Sequence, residues 1–303
     1  MNNDKKKILV VADIKNWAFD KIYKNLSKFS QKFIYKPAYT AIDIDGYKLK
    51  DHAQFDLVLY LCDYSPAELI EANIPKEKVV MAVRSMVKND FYNDIKLMKK
   101  TTSALLVSNK ILLERFKDMH PIVELAPGGI DTTVYAPPSR ICPVRKPVVG
   151  WAGSYSNMGT RDFRGLRLLG DACKEVGYKF KPALREEKWR NEQEMVEYYQ
   201  HEIDIYADLS ESAGRQNGLL EAASCGKAVI ANNVGITAQL IQNGYNGYIV
   251  NRDLTDVTTA LRNILQNSVV FGNRIRSEII NKWSWEKHIT YFEDVFDRVL
   301  YAI

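Results

Sequence analysis

Cysteine and histidine are scarce in this sequence, with four of each in 303 residues. Cys62, Cys142, Cys173 and Cys225 stand 80, 31 and 52 positions apart, so no pair has the short spacing of a zinc knuckle or a redox dithiol. They read as reduced thiols of a cytosolic protein. His52, His120, His201 and His288 are scattered without metal spacing, and no metal or other cofactor is expected. No run approaches the roughly 18 apolar residues of a membrane helix. Met1 to Lys7 is polar and leads straight into an apolar strand, unlike a signal peptide. Neither the Walker pattern nor the dinucleotide glycine fingerprint occurs, which argues against a P-loop enzyme and a Rossmann dehydrogenase. A dense basic stripe with interleaved aromatics is also missing, which excludes nucleic acid as an expected partner.

What is present is the composition of a globular chain, 46% hydrophobic and 26% charged, and its length suits two domains. The net charge of +5 is unevenly placed: residues 1–140 hold 22 Lys/Arg against 17 Asp/Glu, and residues 141–303 hold 20 of each. The excess in the first half suits ordinary solubility, or attraction to an anionic lipid surface or phosphorylated acceptor.

Short apolar runs alternate with amphipathic stretches. Ile8 to Ala12 is a continuous run of the kind covered on both faces of a parallel sheet. Trp17, Phe19, Ile22, Tyr23, Leu26 and Phe29 then follow, with the three- and four-residue spacings of a helix face from Phe19 onward. Strands follow at Leu57 to Cys62, Val79 to Val83 and Ala104 to Val107, with helices from Ser65-Pro66 and over Asp90 to Lys99. Between Pro121 and Pro147 six prolines and Gly128-Gly129 break the periodicity, so this stretch reads as a linker. A second series opens with Val148 to Gly153, continues with a helix from Arg164 to Val176, and passes strands at Ile203 to Ala207 and Ala228 to Ala231. The last periodic segment, Trp285 to Tyr301, predicts a long helix with one buried stripe. The expectation is two doubly wound α/β domains, 1–140 and 141–303, with ligands in the facing crevices at the carboxyl ends of the strands. The final helix is assigned to the second domain, with a crossing back to the first as a further possibility.

The loop Gly153 to Thr160 follows a strand and precedes a helix, with Arg161, Arg164 and Arg167 close behind. Backbone N–H groups of such a loop attract a diphosphate and guanidinium groups bond its oxygens; a plain surface turn with solvated arginines explains it equally well. Ser210 to Ile230 is more informative. With Ala213, Gly214, Arg215, Asn217, Gly218, Leu219 and Glu221 in order, it resembles the signature of glycosyltransferase family 4 and its GT-B relatives. Asn233 to Ile236, Asn243 to Val250 and Trp283 to Glu286 resemble the landmarks downstream. Pro127 to Asp131 and Tyr135 to Pro137 resemble those at the domain junction. The match runs from about residue 104 to 301, and the first hundred residues share only the architecture.

The resemblance implies a GT-B fold of two Rossmann-like domains. It implies a metal-independent, hexosyltransferase-like enzyme that moves a sugar from a nucleotide-diphosphate donor to an acceptor hydroxyl with retention, in glycan or glycolipid biosynthesis. Donor-binding residues would be Gly153, Ser154, Arg164, Ala213, Gly214, Arg215, Asn217, Gly218, Leu219 and Glu221. Glu221, expected at a helix start, would accept both hydroxyls of the ribose, unless it is only a helix-start residue favoured by the macrodipole. Arg164 would hold the leaving diphosphate, with Arg161 as its rival. Arg84, where many relatives place a histidine, would meet an acidic acceptor or a charged sugar, or else form a structural ion pair. Asp13 would orient the acceptor hydroxyl, or else cap the helix that begins near Trp17. The acceptor would be a saccharide, a lipid-linked or a small molecule, and the protein cytoplasmic, with peripheral contact to the inner face of an anionic membrane in prospect.

The sequence departs from the family pattern in two places at the donor. The carboxylate that usually meets the donor sugar is replaced by Ala213, with Glu211 two residues early, and Ser154 stands where an arginine often follows the loop glycine. A catalytically silent protein that binds sugar nucleotides or glycans is therefore the alternative.

Overall fold

The computed structural model describes residues 5–40, 46–61, 66–84, 91–138, 146–155 and 162–301. The chain forms two compact units, one of Met1–Gly129 with Trp285–Ile303, the other of Ile130–Ser284.

The first unit holds the strands β1 (Lys7–Ala12), β2 (Ile34–Tyr39), β3 (Leu57–Tyr60), β4 (Val79–Val83), β5 (Ala104–Val107) and β6 (Val123–Leu125), all parallel, in the order β2-β1-β3-β4-β5-β6. Its helices are α1 (Ala18–Phe29), α2 (Ala67–Glu71), α3 (Phe91–Thr101) and α4 (Lys110–Phe116). Apart from Lys7 at the start of β1, the inner strands of this sheet are apolar because both faces are covered. Ile8 and Val10 of β1 pack with Ile22 and Leu26 of α1, whereas Leu9 and Val11 pack with Leu69, Leu112 and Phe116 of α2 and α4.

The second unit holds β7 (Val148–Gly153), β8 (Lys179–Leu184), β9 (Ile205–Asp208), β10 (Ala228–Asn232) and β11 (Tyr248–Val250), again parallel, in the order β11-β10-β9-β7-β8. Its helices are α5 (Leu166–Val176), α6 (Glu192–Glu197), α7 (Asn217–Ser224), α8 (Thr237–Leu240), α9 (Leu254–Gln266) and α10 (Ser268–Glu278). Val149 and Trp151 of β7 face Leu169 of α5 and Leu261 of α9, and the opposite face packs on Tyr198, Tyr199, Leu219 and Ile275.

The final helix, α11 (Trp285–Tyr301), belongs to the first unit. Its stripe of Trp285, Ile289, Phe292, Val295 and Phe296 joins the core beside β1 and α1, with Phe296 edge-on to Phe33 at 5.8 Å. Ser30 donates to Glu293 at 2.6 Å, Lys32 pairs with Asp297, and Arg298 pairs with Glu124 at 2.7 Å. The units therefore divide at 129/130 rather than at 140/141, and the last helix groups with the first unit because its apolar stripe completes that core. The proline-rich stretch expected as pure linker contains β6, paired with β5 from Leu105↔Val123 to Val107↔Leu125. Among the described residues no helix is long and apolar enough to cross a membrane.

Candidate functional site

Strand order reverses between β7 and β9 in the second sheet, so the segments leaving their carboxyl ends part to opposite faces and leave a crevice. Those segments carry most of the residues singled out in the sequence. Asp208, the last residue of β9, organises one side. Its Oδ1 accepts from the Ser210 backbone N–H at 3.0 Å and hydroxyl at 2.7 Å, and its Oδ2 accepts from Gln216 at 3.4 Å. Gln216 Oε1 in turn accepts from Ile236 N at 3.3 Å and Thr237 Oγ1 at 3.1 Å, and Asn232 Nδ2 donates to the Ser210 carbonyl at 2.9 Å. The loop before α7 is thereby clamped between β9 and the start of α8. Gly235, at φ +57°, is required there, because a Cβ would lie 2.5 Å from the Gly214 carbonyl.

Arg164 lies across this loop and not on a helix. The helix begins at Leu166, two residues later than expected, because Gly165 sits in the left-handed region at φ +73°, where a Cβ would come 2.5 Å from that of Leu209. Asp162 satisfies the helix start, accepting from Arg167 N and Leu168 N at 3.2 Å each. The Arg164 guanidinium lies over the Phe163 ring at 5.4 Å and donates to Ser210 Oγ at 3.4 Å. Its Nε is buried and meets no acceptor among the described residues. A half-buried cation thus stands at the loop that precedes α7. Arg161, its rival, falls outside the described residues, as does the rest of 156–161.

Glu221 occupies the middle of α7 rather than its start, as the fifth of eight residues, so the macrodipole does not explain it. It is 6% exposed. Its Oε2 accepts from the Tyr199 hydroxyl at 3.0 Å. Tyr135 lies in the field of Glu221, and burial together with that charge holds its phenol well above the ordinary range. Burial pulls the Arg215 guanidinium down to about 10, against the opposing attraction of Glu221 and Tyr135. Arg215 also donates to the Asn217 side chain, the first residue of α7.

The remaining residues are placed as follows. Gly153 ends β7. The Ser154 hydroxyl donates to Glu186, which also accepts from Tyr155 N at 3.2 Å. Ala213 is half-buried and Gly214 buried. Glu211 does not replace the carboxylate missing at Ala213: it pairs with Arg252 at 2.6 Å. Gly218 leaves space for the Tyr206 hydroxyl beneath α7. Leu219 is fully buried in the core, so only its backbone can face a ligand.

In the first unit, Asp13 follows β1 and accepts from Ile14 N at 2.7 Å, but it does not cap α1. The cap position is Trp17, with no side-chain bond, and Asp20 accepts from Asn16 N at 2.8 Å instead. Arg84 follows β4 directly, is 6% exposed, and donates to the carbonyls of Ala126, at 2.7 Å, and Pro127. Its guanidinium ties backbone, a role that neither the ion pair nor the acceptor contact expected of it had anticipated. Tyr199, Asp208 and Gln216 were not singled out in the sequence; a Tyr-Tyr pair and a strand-end Asp carry no local pattern that marks them.

Residues 164–267 match the family described as Glycosyl transferases group 1. An uncharacterized glycosyltransferase of Methanocaldococcus jannaschii is 24% identical over 102 residues, which cover 32% of this chain and 26% of that protein. Among solved structures, a sucrose-phosphate synthase from Thermosynechococcus elongatus superposes with a TM-score of 0.76 at 12% identity, over 99% of this chain and 100% of the other. The HepE protein of Anabaena, in complex with UDP and glucose, gives 0.72 at 13% identity, over 96% and 99%. A glycosyltransferase from Rickettsia africae gives 0.71 at 12% identity, over 98% and 99%. The group 1 match begins at Arg164 and includes Glu221, so Arg164 and the residues that follow β9 fall inside the matched region, whereas Gly153 and Ser154 at the end of β7 precede it. The chain has the GT-B fold, and its second unit resembles the group 1 glycosyl transferases.

Proposed function

We propose that the protein is a glycosyltransferase that takes a sugar from a nucleotide-diphosphate donor and passes it to an acceptor hydroxyl. In the reaction the bond between the anomeric carbon and the diphosphate oxygen breaks with its electron pair staying on that oxygen, the acceptor oxygen bonds to the carbon, and the hydroxyl proton passes to the departing diphosphate or to water. Glu221 accepts the ribose hydroxyls. Arg164 meets the charge that grows on the departing diphosphate, with the first-turn N–H groups of α7 beside it. The transfer proceeds without a metal and with retention at the anomeric carbon, as the resemblance implies. The observation that carries this reading is the placement of one buried carboxylate and one half-buried arginine at the reversal point of the second sheet, inside the group 1 match.

The lysine excess of the first half supports an acceptor that is anionic or presented at an anionic lipid surface on the cytoplasmic side, as a lipid-linked saccharide would be. Ala213, with Glu211 committed to Arg252, favours a second reading, a protein that binds a sugar nucleotide and does not turn it over. Incubation with a panel of radiolabelled nucleotide sugars, scoring binding, hydrolysis and transfer separately, decides between the two. Turnover of any donor refutes the silent reading, and binding without turnover refutes the transferase.

A further inference from the structure

We infer that Tyr199 is a positioning residue for Glu221: its hydroxyl holds one carboxylate oxygen so that the remaining acceptor positions meet the 2′ and 3′ hydroxyls of the bound ribose. The inference rests on the ribose role proposed for Glu221.

The local backbone makes the contact. α6 runs into a π-helical turn over Tyr198–Glu202, and Tyr198 and Tyr199 are both 0% exposed. Successive residues of a regular helix point about 100° apart, so a helix that buries two neighbours this fully needs the wider turn or cover on both sides. The two phenols are used differently. Among the described residues Tyr198 bonds main chain, accepting from Trp151 N at 3.2 Å and sharing its hydroxyl proton between carbonyls of β7 and β8. Tyr199 reaches under α7 to a side chain, Glu221. Its ring is fixed by Tyr135, Tyr198 and Tyr206, with centroids at 6.3, 5.4 and 6.0 Å. Gly218 lies above them, where a Cβ would come 3.4 Å from the Tyr199 hydroxyl.

Burial, reinforced by Glu221, holds the Tyr199 phenol well above its ordinary range, so it stays a donor at any working pH. A glutamate has three rotatable bonds, and fixing them costs free energy at the moment of binding unless a partner has fixed them beforehand. A carboxylate has about four acceptor sites; Tyr199, with Tyr135 as a second phenol on the same carboxylate, orients it, and two such bonds leave two sites for a vicinal diol. Packing alone would need only phenylalanine.

The test is calorimetric titration with whichever of UDP, GDP or ADP the wild type binds most tightly, and with its 2′-deoxy analogue. Tyr199→Phe is expected to weaken the ribonucleotide roughly 3- to 10-fold and the deoxynucleotide less than about 2-fold, as loss of one oriented hydrogen bond should. In a Glu221→Gln background Tyr199→Phe should add less than about 2-fold, since the two act through one contact. Should Tyr199→Phe melt below the assay temperature, the same titrations at lower temperature in a stabilising osmolyte read the same ratio on the folded variant. Equal weakening of both nucleotides, or an unchanged ratio, overturns the positioning role alone. A wild type that does not distinguish ribose from deoxyribose, or binds none of the three, overturns the ribose role of Glu221 and this inference with it.

Discussion

Replacing Glu221 by glutamine removes a charge from the proposed donor site while leaving shape nearly intact, and its consequences divide cleanly into binding and stability. For binding, a hydrogen bond to a charged acceptor contributes roughly 1.5–3 kcal/mol and one between neutral groups roughly 0.5–1.5. The two hydroxyls of a ribose would together lose about 1–3 kcal/mol, roughly 5- to 150-fold in Kd. For stability, Tyr199 can still donate to the glutamine carbonyl, so the buried phenol keeps a partner. Arg215 loses the nearest charge that opposes its desolvation. Because glutamine still presents a dipole and Arg215 keeps its bond to Asn217, the cost should stay near 1–2 kcal/mol, below that of breaking a buried pair outright. A unit of this size then melts about 2–8 °C lower. Calorimetric titration of the folded variant with the preferred nucleoside diphosphate, alongside a thermal scan, measures both. Wild-type affinity in a variant that has lost stability would show that Glu221 is a structural partner of Arg215 and Tyr199 and does not touch the ribose.

Three further outcomes are expected. Arg164→Ala should lower kcat by roughly 10²- to 10³-fold and raise KM much less, because the leaving group gains charge as the bond breaks; wild-type turnover in that variant with loss in Arg161→Ala would assign the diphosphate to Arg161. Ala213→Glu should shift relative kcat/KM toward ordinary hexose donors in a paired-donor competition, since the neighbouring carboxylate of Glu211 is committed to Arg252; an unchanged preference in an active variant would mean that residue 213 does not face the sugar. His120 is buried against Thr102 and Ile122, and desolvation holds its pKa below 6.5. The folded chain therefore binds fewer protons there than the unfolded chain, its contribution to stability is intact above pH 6.5 and is lost as pH falls through the depressed value, and His120→Asn should flatten the acid limb of a melting-temperature profile between pH 7 and 5.

Legibility of the fold followed the position of each strand in its sheet. β1, β3, β4 and β5 of the first sheet and β7, β9 and β10 of the second are inner strands, apolar on both faces, and all stand out as short continuous runs. The four strands that do not stand out, β2, β6, β8 and β11, are the four edges. Two of them, Ile34–Tyr39 and Lys179–Leu184, carry Pro37 and Pro182 among lysines, as edges can because one side of the ladder needs no donor. The other two are three residues long. An edge strand is specified by its neighbour's unfilled hydrogen bonds, and those are not written in its own residues.

The site divides on the same principle. Arg164 and Glu221 are singled out through the family resemblance, and each belongs to a segment whose residue order is constrained locally: a glycine that must adopt φ +73° beneath Leu209, and a short helix that must bury Leu219, Leu220, Ala222 and Ala223. Tyr199 stands 22 positions from Glu221, and Asp208 reaches Gln216 across a loop. In sequence a buried tyrosine cannot be told from a phenylalanine that fills the same volume, because the hydroxyl matters only once a partner is brought to it by the chain. Arg84 makes the converse case. Its place at a strand end suits an anionic ligand or a structural ion pair equally, yet the fold delivers the carbonyls of Ala126 and Pro127 to it. A polar residue becomes available to a ligand only when the surrounding backbone is already satisfied without it. By that criterion Arg164, whose buried Nε meets no acceptor among the described residues, is the stronger candidate for an anionic ligand.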